Sequence, residues 1–360
     1  MKSIYKTGLT LAGLALLFLL IGWANGHLNE YYSRVLNTAA IYIVAAVSYN
    51  LINGVAGQFS LGPNGFMAIG AYVTTLLILP VSQKQAVWFL QPLVWPLRAY
   101  SLPLWLFPVA LLAGGAAAAL GAFLIGIPAL RLRGDYLAIA TFGFGEIIFV
   151  LANNIIPLTN GPLGIKGIPN LPYLLWVTWG CAVLTVLAVT SLVNSSFGRA
   201  LKAIREDEVA AEAMGVALFR HKMLALVVSG FFGGIAGGLL AFLVSTISPS
   251  AFTFFMTFTL LIIIVLGGLG STTGAVVTAV IYTVLQELLR VVESPLDLGP
   301  VHIPGISGMR MVVISALLIA VMLFYRRGLF GGREFSWDWL WQKWTKRKGT
   351  SWNQTAASRS

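Results

Sequence analysis

The stretch MLALVVSGFFGGIAGGLLAFLVSTI, residues 223–247, runs for 25 residues without a charged side chain. A bilayer core about 30 Å thick needs about 20 apolar residues in a helix, so this stretch predicts a membrane span. The surrounding chain has the same character: 58% of its 360 residues are hydrophobic, 10% are charged, and the mean hydropathy is +0.85. Because a soluble domain carries about 25% charged residues, this composition excludes a soluble globule, and it equally excludes a disordered chain.

Nine further apolar runs fit the same length criterion, which predicts an all-α polytopic integral membrane protein of about ten transmembrane helices. The ten runs are Gly8–Trp23, Val35–Ile52, Gly65–Leu79, Leu102–Ile127, Tyr136–Ala152, Leu171–Val193, Met223–Ile247, Phe254–Leu266, Gly274–Leu289 and Met309–Tyr325. The first run follows two lysines as a signal peptide does, but no small-residue cleavage motif follows it. We therefore expect it to remain as a span.

The distribution of Lys and Arg predicts the orientation. If the spans alternate from a cytoplasmic N-terminus, 17 of the 23 basic residues fall on the inner side and six on the outer side. This asymmetry agrees with the positive-inside rule and predicts that both termini are cytoplasmic. It divides the chain into a transmembrane domain, residues 1–325, with a charged inner loop at 194–222, and a basic, aromatic cytoplasmic tail, residues 326–360.

Several kinds of chemistry find no support in the sequence. There is no G-x-x-x-x-G-K-[ST] motif for ATP and no H-E-x-x-H motif for zinc, and the single cysteine, Cys181, lies inside an apolar run. The glycines of Gly267–Gly270 follow a membrane span rather than a strand, so they fail the dinucleotide pattern. The net charge of +11 comes from residues at span ends, which does not indicate nucleic-acid binding. We therefore expect neither an enzyme nor a bound metal or cofactor.

The charged inner loop contains SSFGRALKAIREDEVAAEAMGV, residues 195–216. Its residues from Arg199 to Met214 are strong helix formers, Gly198 can break the incoming helix, and Gly215 can end the new one. One interpretation is a solvated connector stabilised by ion pairs such as Lys202 with Glu206. The other is a helix that docks onto a cytoplasmic partner, which its apolar positions amid alternating charge favour.

Two other segments carry unusual polar residues. In NGVAGQFSLG, residues 53–62, and the following Pro63–Asn64, the glycines and proline preclude a regular helix around Gln58, Ser60 and Asn64. Such a break is either an ordinary turn or, at membrane depth, the lining of a cavity, where a helix starting near Gly65 would direct its N–H groups at a carboxylate. Glu146 is the only acid well inside an apolar run, which indicates a buried structural hydrogen bond or a polar path lining.

With RLRGDYLAIATFGFGEI, residues 131–147, these segments resemble the LivM-type permeases of ABC importers for branched-chain and other neutral amino acids, over about Leu36–Tyr325. The resemblance implies a multi-pass inner-membrane subunit of a bacterial type. It further implies a related second permease, two cytoplasmic ATPase subunits that hold ATP and magnesium, and an extracytoplasmic substrate-binding protein. The ATPase-coupling residues implied in the charged loop are Gly198, Arg199, Ala203, Arg205, Glu206, Asp207, Glu208, Ala211 and Gly215.

The sequence departs from the general ABC permease signature E-A-A-x-x-x-G, because a valine is inserted in Glu208–Ala211 and the later I-x-L-P element is missing. Pro63–Asn64 also differs from the His-Ala or Gln-Ala pair more common in such permeases. Three alternatives stay open at this point: a urea or amide importer of the same family, a self-sufficient ion-coupled carrier, and a membrane scaffold.

Two aromatic segments lie outside these motifs. In the tail, Trp337, Leu340, Trp341 and Trp344 share one helix face beside Lys343 and Lys346–Lys348, which predicts a helix lying on anionic lipid. On the outer side, Trp88–Trp105 carries five aromatic residues among prolines. This segment is either an aromatic belt at the headgroups or a docking surface for an outer partner.

Overall fold

The computed structural model describes residues 2–89, 91–132, 134, 136–293, 296–298, 301–303, 308–325, 328–331 and 334. The predicted lipid-binding helix around Trp337–Trp344 lies outside these residues. Within them the fold is helical, with only two short antiparallel strand pairs, so the all-α prediction is confirmed.

The described part of the chain forms fourteen α-helices and four short strands. The helices are α1 (Lys2–His27), α2 (Glu30–Asn50), α3 (Pro63–Ile78), α4 (Val81–Val87), α5 (Phe107–Ala129), α6 (Tyr136–Asn154), α7 (Ile156–Thr159), α8 (Leu174–Asn194), α9 (Ser196–Glu206), α10 (Glu208–Ala213), α11 (Leu218–Val244), α12 (Phe254–Gly267), α13 (Thr272–Glu293) and α14 (Met309–Phe324). The strands are β1 (Ile165–Lys166), β2 (Thr246–Ile247), β3 (Leu296–Leu298) and β4 (Val301–Ile303).

Each of the ten predicted apolar runs coincides with one helix. Eight stretches of the described chain are long and apolar enough to cross a membrane. The helices at the other two predicted runs, α3 and α14, are apolar but shorter, at 16 residues each. The multi-pass architecture is therefore shown, whereas eight rather than ten helices meet the full length.

The centre of the bundle is formed by α3, α5 and α11, which approach closely because glycine lies where they cross. A Cβ atom at Gly70 would overlap with the backbone of Gly234, and one at Gly237 would overlap with the carbonyl of Met67. Small residues at helix crossings let backbones pack closely in membranes, where dispersion contacts replace the hydrophobic driving force. This packing holds α3 in the middle of the bundle.

The chain between α2 and α3 is irregular, as the glycines and proline predict. A π-helical turn, Leu51–Val55, ends α2, residues 56–62 are non-helical, and α3 begins at Pro63. The start of α3 lies inside the bundle: the neighbouring Leu61 carbonyl accepts from Thr257 Oγ1, at 3.5 Å. Thr257 lies in the first turn of α12 and is buried, as is Asn64 at the start of α3.

The two ends of the bundle differ in construction. One end, the charged-loop end, carries the loop 194–222, the α12–α13 turn and the segment after α14. The opposite end carries α4, the Pro-rich segment before α5, and the β1–β2 pair, in which Ile165 pairs with Ile247. There the buried Lys84 donates from Nζ to the carbonyls of Leu97 and Tyr100, at 2.9 and 2.7 Å.

Candidate functional site

The charged loop folds as two short helices, not as the single helix predicted for Arg199–Met214. The break is at Asp207, whose extended backbone lets its Oδ1 accept from the amides of Val209 and Ala210, at 2.8 and 3.0 Å. A carboxylate that caps a helix N-terminus in this way stabilises it by about 0.5–2 kcal/mol. The capping preference of Asp207 therefore outweighs the helix propensity of the residues on either side.

Both helices bury apolar side chains against the bundle, but α10 also exposes a large apolar side chain to solvent. In α9, Leu201 and Ile204 are buried against the membrane helices. In α10, Ala211 is buried and Val209 is 72% exposed, and Met214, directly after α10, is 84% exposed. Val209 and Met214 are therefore large apolar side chains exposed on an otherwise charged segment. Met214 belongs to the apolar positions predicted for the docking helix, whereas Val209 was noted only as an insertion in the family signature.

The base of α10 is tied to α11 by an ion pair. Lys222 Nζ lies 2.6 Å from Glu208 Oε1, and the lysine side chain is 9% exposed. Beside this pair, a cavity of about 470 Å³ opens between the end of α5 and the start of α11, with Arg131, Arg220 and Glu212 among its lining residues. The ion pair joins α10 to α11 at one side of the cavity.

Arg205, at the end of α9, connects the charged loop to the membrane domain. Its Nη1 donates to the carbonyl of Gly54 at 2.9 Å, and its Nη2 pairs with Glu206 at 2.8 Å. A Cβ atom at Gly57 would overlap with Arg205 Cγ, so the arginine stem occupies the space that this glycine leaves open. Gly57 also has a φ of +67°, which favours glycine.

Asn50, four residues before Gly54, contacts the turn between α12 and α13. Asn50 Oδ1 accepts from the amide of Gly270 at 2.9 Å, and Asn50 Nδ2 donates to the carbonyl of Ser271 at 3.1 Å. A Cβ atom at Gly270 would lie 3.0 Å from Arg205 Nη1. We call this assembly of Gly54, Gly57 and Gly270 with the side chains of Asn50 and Arg205 the glycine junction.

The irregular segment after the π-helical turn is held by buried hydrogen bonds. Tyr49 Oη donates to the carbonyl of Ser60 at 2.6 Å, and Asn53 Oδ1 accepts from the amide of Ser60 at 3.1 Å. The amide of Leu61 donates to Thr141 Oγ1 on α6 at 2.9 Å. These bonds satisfy backbone groups that a break in a helix would leave unpaired.

Gln58, Ser60 and Asn64 are buried in this segment, with exposures of 4%, 1% and 1%. Asn64 Nδ2 donates to the carbonyl of Phe252 at 3.2 Å. Within the described residues, both amide atoms of Gln58, Ser60 Oγ and Asn64 Oδ1 have no hydrogen-bond partner. A buried polar atom without a partner costs about 1–3 kcal/mol, so this cluster is expensive to keep for stability alone.

Glu146 lies on α6, half-buried, directly after Gly145. A Cβ atom at Gly145 would lie 3.0 Å from Asn64 Nδ2, so the α6 backbone next to Glu146 touches the start of α3. Among the residues that the structure describes, Glu146 forms no hydrogen bond or ion pair. A second cavity, about 310 Å³ and mostly aliphatic, lies between α3 and α6 near Tyr72, and none of the four predicted path residues lines it.

The remaining predicted coupling residues have varied surroundings. Gly198 is buried in the first turn of α9 against Val193, and the preceding helix ends at Asn194 rather than at Gly198. Arg199 and Ala203 are exposed on α9, and Gly215 has a φ of +83°, which agrees with its predicted role at a helix end. Only Arg205 of the predicted set reaches the glycine junction.

Three kinds of residue were not foreseen: Asn50 and Asn53 beside the break, Thr141 on α6, and Glu334 after α14. Asn50 and Glu334 contact partners more than 60 positions away in sequence, so no local pattern could identify them. In the described ranges, no group of three His, Cys, Asp or Glu side chains could hold a metal ion.

Comparison with known proteins places the chain in a family. The profile of the family described as branched-chain amino acid transport system, permease component, matches residues 31–322. LivM, a high-affinity branched-chain amino acid transport system permease of Escherichia coli (strain K12), is 32% identical over 324 residues, covering 80% of this chain and 67% of LivM.

Two relatives of lower coverage carry other names. The guanosine ABC transporter permease NupQ of Bacillus subtilis is 26% identical over 55% of this chain and 64% of NupQ. The permease LivH of Escherichia coli (strain K12) is 30% identical over 44% of this chain and 47% of LivH. No solved structure matches the chain. The match over residues 31–322 and the identity to LivM show that the chain belongs to the permease family of branched-chain amino acid ABC transport systems.

Proposed function

We propose that this chain is a membrane-spanning subunit of an ATP-driven importer of branched-chain and other neutral amino acids. It pairs with a related second permease and two cytoplasmic ATPase subunits, and it receives substrate from an extracytoplasmic binding protein. ATP and magnesium bind to the ATPases, and this chain binds neither. The protein lies in an inner membrane of bacterial type, with both termini and the charged loop in the cytoplasm.

The observation that carries this proposal is the construction of the charged loop. The exposed Val209 on α10 and Met214 directly after it provide an apolar contact for a partner, while α9 buries Leu201 and Ile204 in the bundle. A partner that pushes α10 would act on α11 through the Lys222–Glu208 ion pair and on α9 through the adjoining Asp207, and Arg205 links α9 to the glycine junction. This arrangement suits a permease that has no ATPase of its own and must receive work as a rigid-body movement.

The relatives support the substrate class and the second permease. LivM and LivH are permeases of a branched-chain amino acid system, and both are similar to this chain. NupQ, a permease for guanosine, shows that the family accepts other substrates, so a nucleoside belongs in any transport assay. The proposed amino-acid substrate rests on the higher identity and coverage of LivM.

We further propose that Gln58, Ser60, Asn64 and Glu146 line the substrate path. The buried atoms of the first three that lack partners can bond to the ammonium and carboxylate of a zwitterion. The N-terminus of α3 adds a partial positive charge at the same place, beside Asn64. Glu146, on the adjoining helix, supplies a negative charge within reach of a passing ammonium group.

Reconstitution tests the function. The chain is co-expressed with its neighbouring permease, ATPase and binding-protein genes, purified, and placed in proteoliposomes. We expect uptake of labelled leucine that requires ATP and the binding protein, with proline, alanine, urea and guanosine as competing substrates. Uptake driven by a sodium or proton gradient without ATP would overturn the proposal in favour of an ion-coupled carrier, and uptake of urea or guanosine alone would change the substrate class.

Glu146→Gln tests the path. This substitution keeps the size of the side chain and removes its charge, so we expect an unchanged fold. The KM for leucine should rise at least about tenfold, because one charge-assisted contact of about 1.5–3 kcal/mol is lost. The measurement is the uptake rate against leucine concentration, with thermal stability measured in parallel. Unchanged kinetics, combined with a large loss of stability in Glu146→Ala, would instead assign Glu146 a structural role.

A further inference from the structure

We propose that the segment following α14 clamps the turn between α12 and α13, and that Glu334 is the positioning residue of this clamp in energy coupling. The clamp comprises the described residues 328–331 and 334. The inference rests on the proposed function, since it concerns how movement of the charged loop reaches the membrane helices. It assigns a role in coupling to a part of the chain beyond the last apolar helix.

The contacts are made by both backbone and side chain. The amides of Leu329 and Phe330 donate to the carbonyls of Leu266 and Gly267, at 2.9 and 3.3 Å, at the end of α12. The Glu334 carboxylate then accepts from the amides of Thr272 and Thr273, at 2.6 and 3.1 Å, and from Thr273 Oγ1 at 2.7 Å. The segment thus bonds to the helix on each side of the turn.

Glu334 completes the N-terminus of α13. The first N–H groups of a helix have no partner within the helix and carry a partial positive charge. Here Ser271 Oγ accepts from the amide of Gly274 at 3.0 Å, and Glu334 accepts from the two amides before it. A carboxylate is the strongest cap for such amides, because its hydrogen bonds are charge-assisted. Glu334 thereby fixes the start of α13, although it lies 62 positions after Thr272 and 61 after Thr273.

The same turn is held from its other side by the glycine junction. Asn50 bonds to Gly270 and Ser271, immediately before the amides that Glu334 holds, and Arg205 approaches Gly270 from the charged loop. The α12–α13 turn therefore lies between Arg205 of the charged loop and the clamp. A movement of Arg205 shifts α12 and α13 together if the clamp is closed, and displaces only the turn if the clamp is open.

The experiment uses the full complex with Glu334→Gln, which keeps the length of the side chain but leaves one oxygen to accept and removes the charge. Glu30→Gln is the matched control, because Glu30 is an exposed carboxylate in the first turn of α2. Two quantities are measured: hydrogen exchange of the amides in residues 268–274, and the number of ATP molecules hydrolysed per substrate molecule taken up.

We expect Glu334→Gln to speed the exchange of the Thr272 and Thr273 amides about tenfold and to raise ATP consumption per substrate about fivefold. The control should change neither, and Glu334→Lys should act in the same direction as Glu334→Gln and more strongly. Faster exchange with an unchanged ATP ratio would overturn the coupling role and leave Glu334 a structural cap. Unchanged exchange would overturn the clamp itself. Failure of the unmodified complex to transport would refute the proposed function, and the exchange measurement still decides the contact.

Discussion

Arg205 and Lys84 make the same kind of contact at opposite ends of the bundle, but they differ in exposure and in charged partners. Each donates to backbone carbonyls of a neighbouring loop: Arg205 to Gly54, and Lys84 to Leu97 and Tyr100. The Arg205 side chain is 39% exposed and pairs with Glu206, whereas Lys84 is 1% exposed. No carboxylate among the described residues pairs with Lys84.

This difference has an electrostatic cause and a mechanical consequence. Burial lowers the pKa of Lys84 from 10.5 to about 8, because desolvation disfavours the charged amine. Water at the surface lets the contacts of Arg205 change without a large penalty. We therefore expect the contact of Arg205 to rearrange more readily than those of Lys84, which hold the Pro-rich segment.

The largest effect is expected from breaking α9 itself. Ala203→Pro removes a backbone donor and clashes with the preceding turn, which costs about 3 kcal/mol of helix stability. We expect uptake to be lost while the ATPases continue to hydrolyse ATP and the chain stays in the membrane. The measurements are uptake and ATP hydrolysis in proteoliposomes.

The matched control is Ser196→Pro. Ser196 is the first residue of α9, where proline is tolerated, and the preceding Ser195 is already extended. This variant should transport normally. Normal uptake by Ala203→Pro would show that α9 does not couple ATP hydrolysis to uptake. The charged-loop end would then have no larger role in transport than the opposite end.

A smaller effect on uptake is expected from Gly57→Ala, which displaces the Arg205 side chain without replacing it. An alanine at Gly57 would overlap with the Arg205 stem and strain a backbone of positive φ. We expect leucine uptake to fall about tenfold, since one loop–bundle contact of about 1.4 kcal/mol is lost. Gly134→Ala serves as control because Gly134 has a φ of +62° and open space around it, so it carries the strain without the overlap. Equal loss in both variants would mean that strain alone matters.

The smallest effect on transport is expected at the opposite end. Lys84→Met keeps an apolar stem and removes the donors to Leu97 and Tyr100, so the segment should loosen while uptake changes less than about twofold. Since the pKa of Lys84 is lowered to about 8, the unfolded state binds more protons between about pH 8 and 10.5, and stability should gain from rising pH in that window.

Thermal unfolding of the purified chain at about pH 7 and about pH 9.5 checks the sign of this effect. Relative to Lys84→Met, the unmodified chain should become more stable at the higher pH. An identical pH response in the two chains would show that Lys84 does not titrate in this window. A large loss of uptake in Lys84→Met would show that both ends of the bundle take part in coupling.

Local sequence signals predicted the elements well where the physical cause was itself local. Each of the ten apolar runs that the sequence predicted as a span contains a helix. The glycines with Pro63 predicted the break before α3. The same approach failed at Asp207, where propensity favoured one helix. A carboxylate two or three residues before free amides competes with propensity, and only the observed backbone shows which prevails.

The candidate site depended on contacts that no local pattern reveals. Arg205 was predicted as a coupling residue from resemblance, but its bond to Gly54 joins positions 151 apart. The proposed path residues Gln58, Ser60 and Asn64 were singled out by the glycine-rich break, while Tyr49 and Thr141, which hold that break, gave no signal of their own. Polar residues in an apolar helix become informative only when the opposing helix is known.

The sequence by itself determined that this chain is a helical membrane protein with one charged loop, because hydrophobic length and the near absence of charge permit no other fold in a bilayer. Its motifs also determined the family. Only the tertiary structure decided that two glycine turns, Asn50, Arg205 and Glu334 meet at one end. Those contacts arise from the packing of helices that are distant in sequence. A glycine lets a distant side chain approach the backbone, and the Glu334 carboxylate bonds to amides about 60 residues away, so the neighbouring sequence does not reveal either contact.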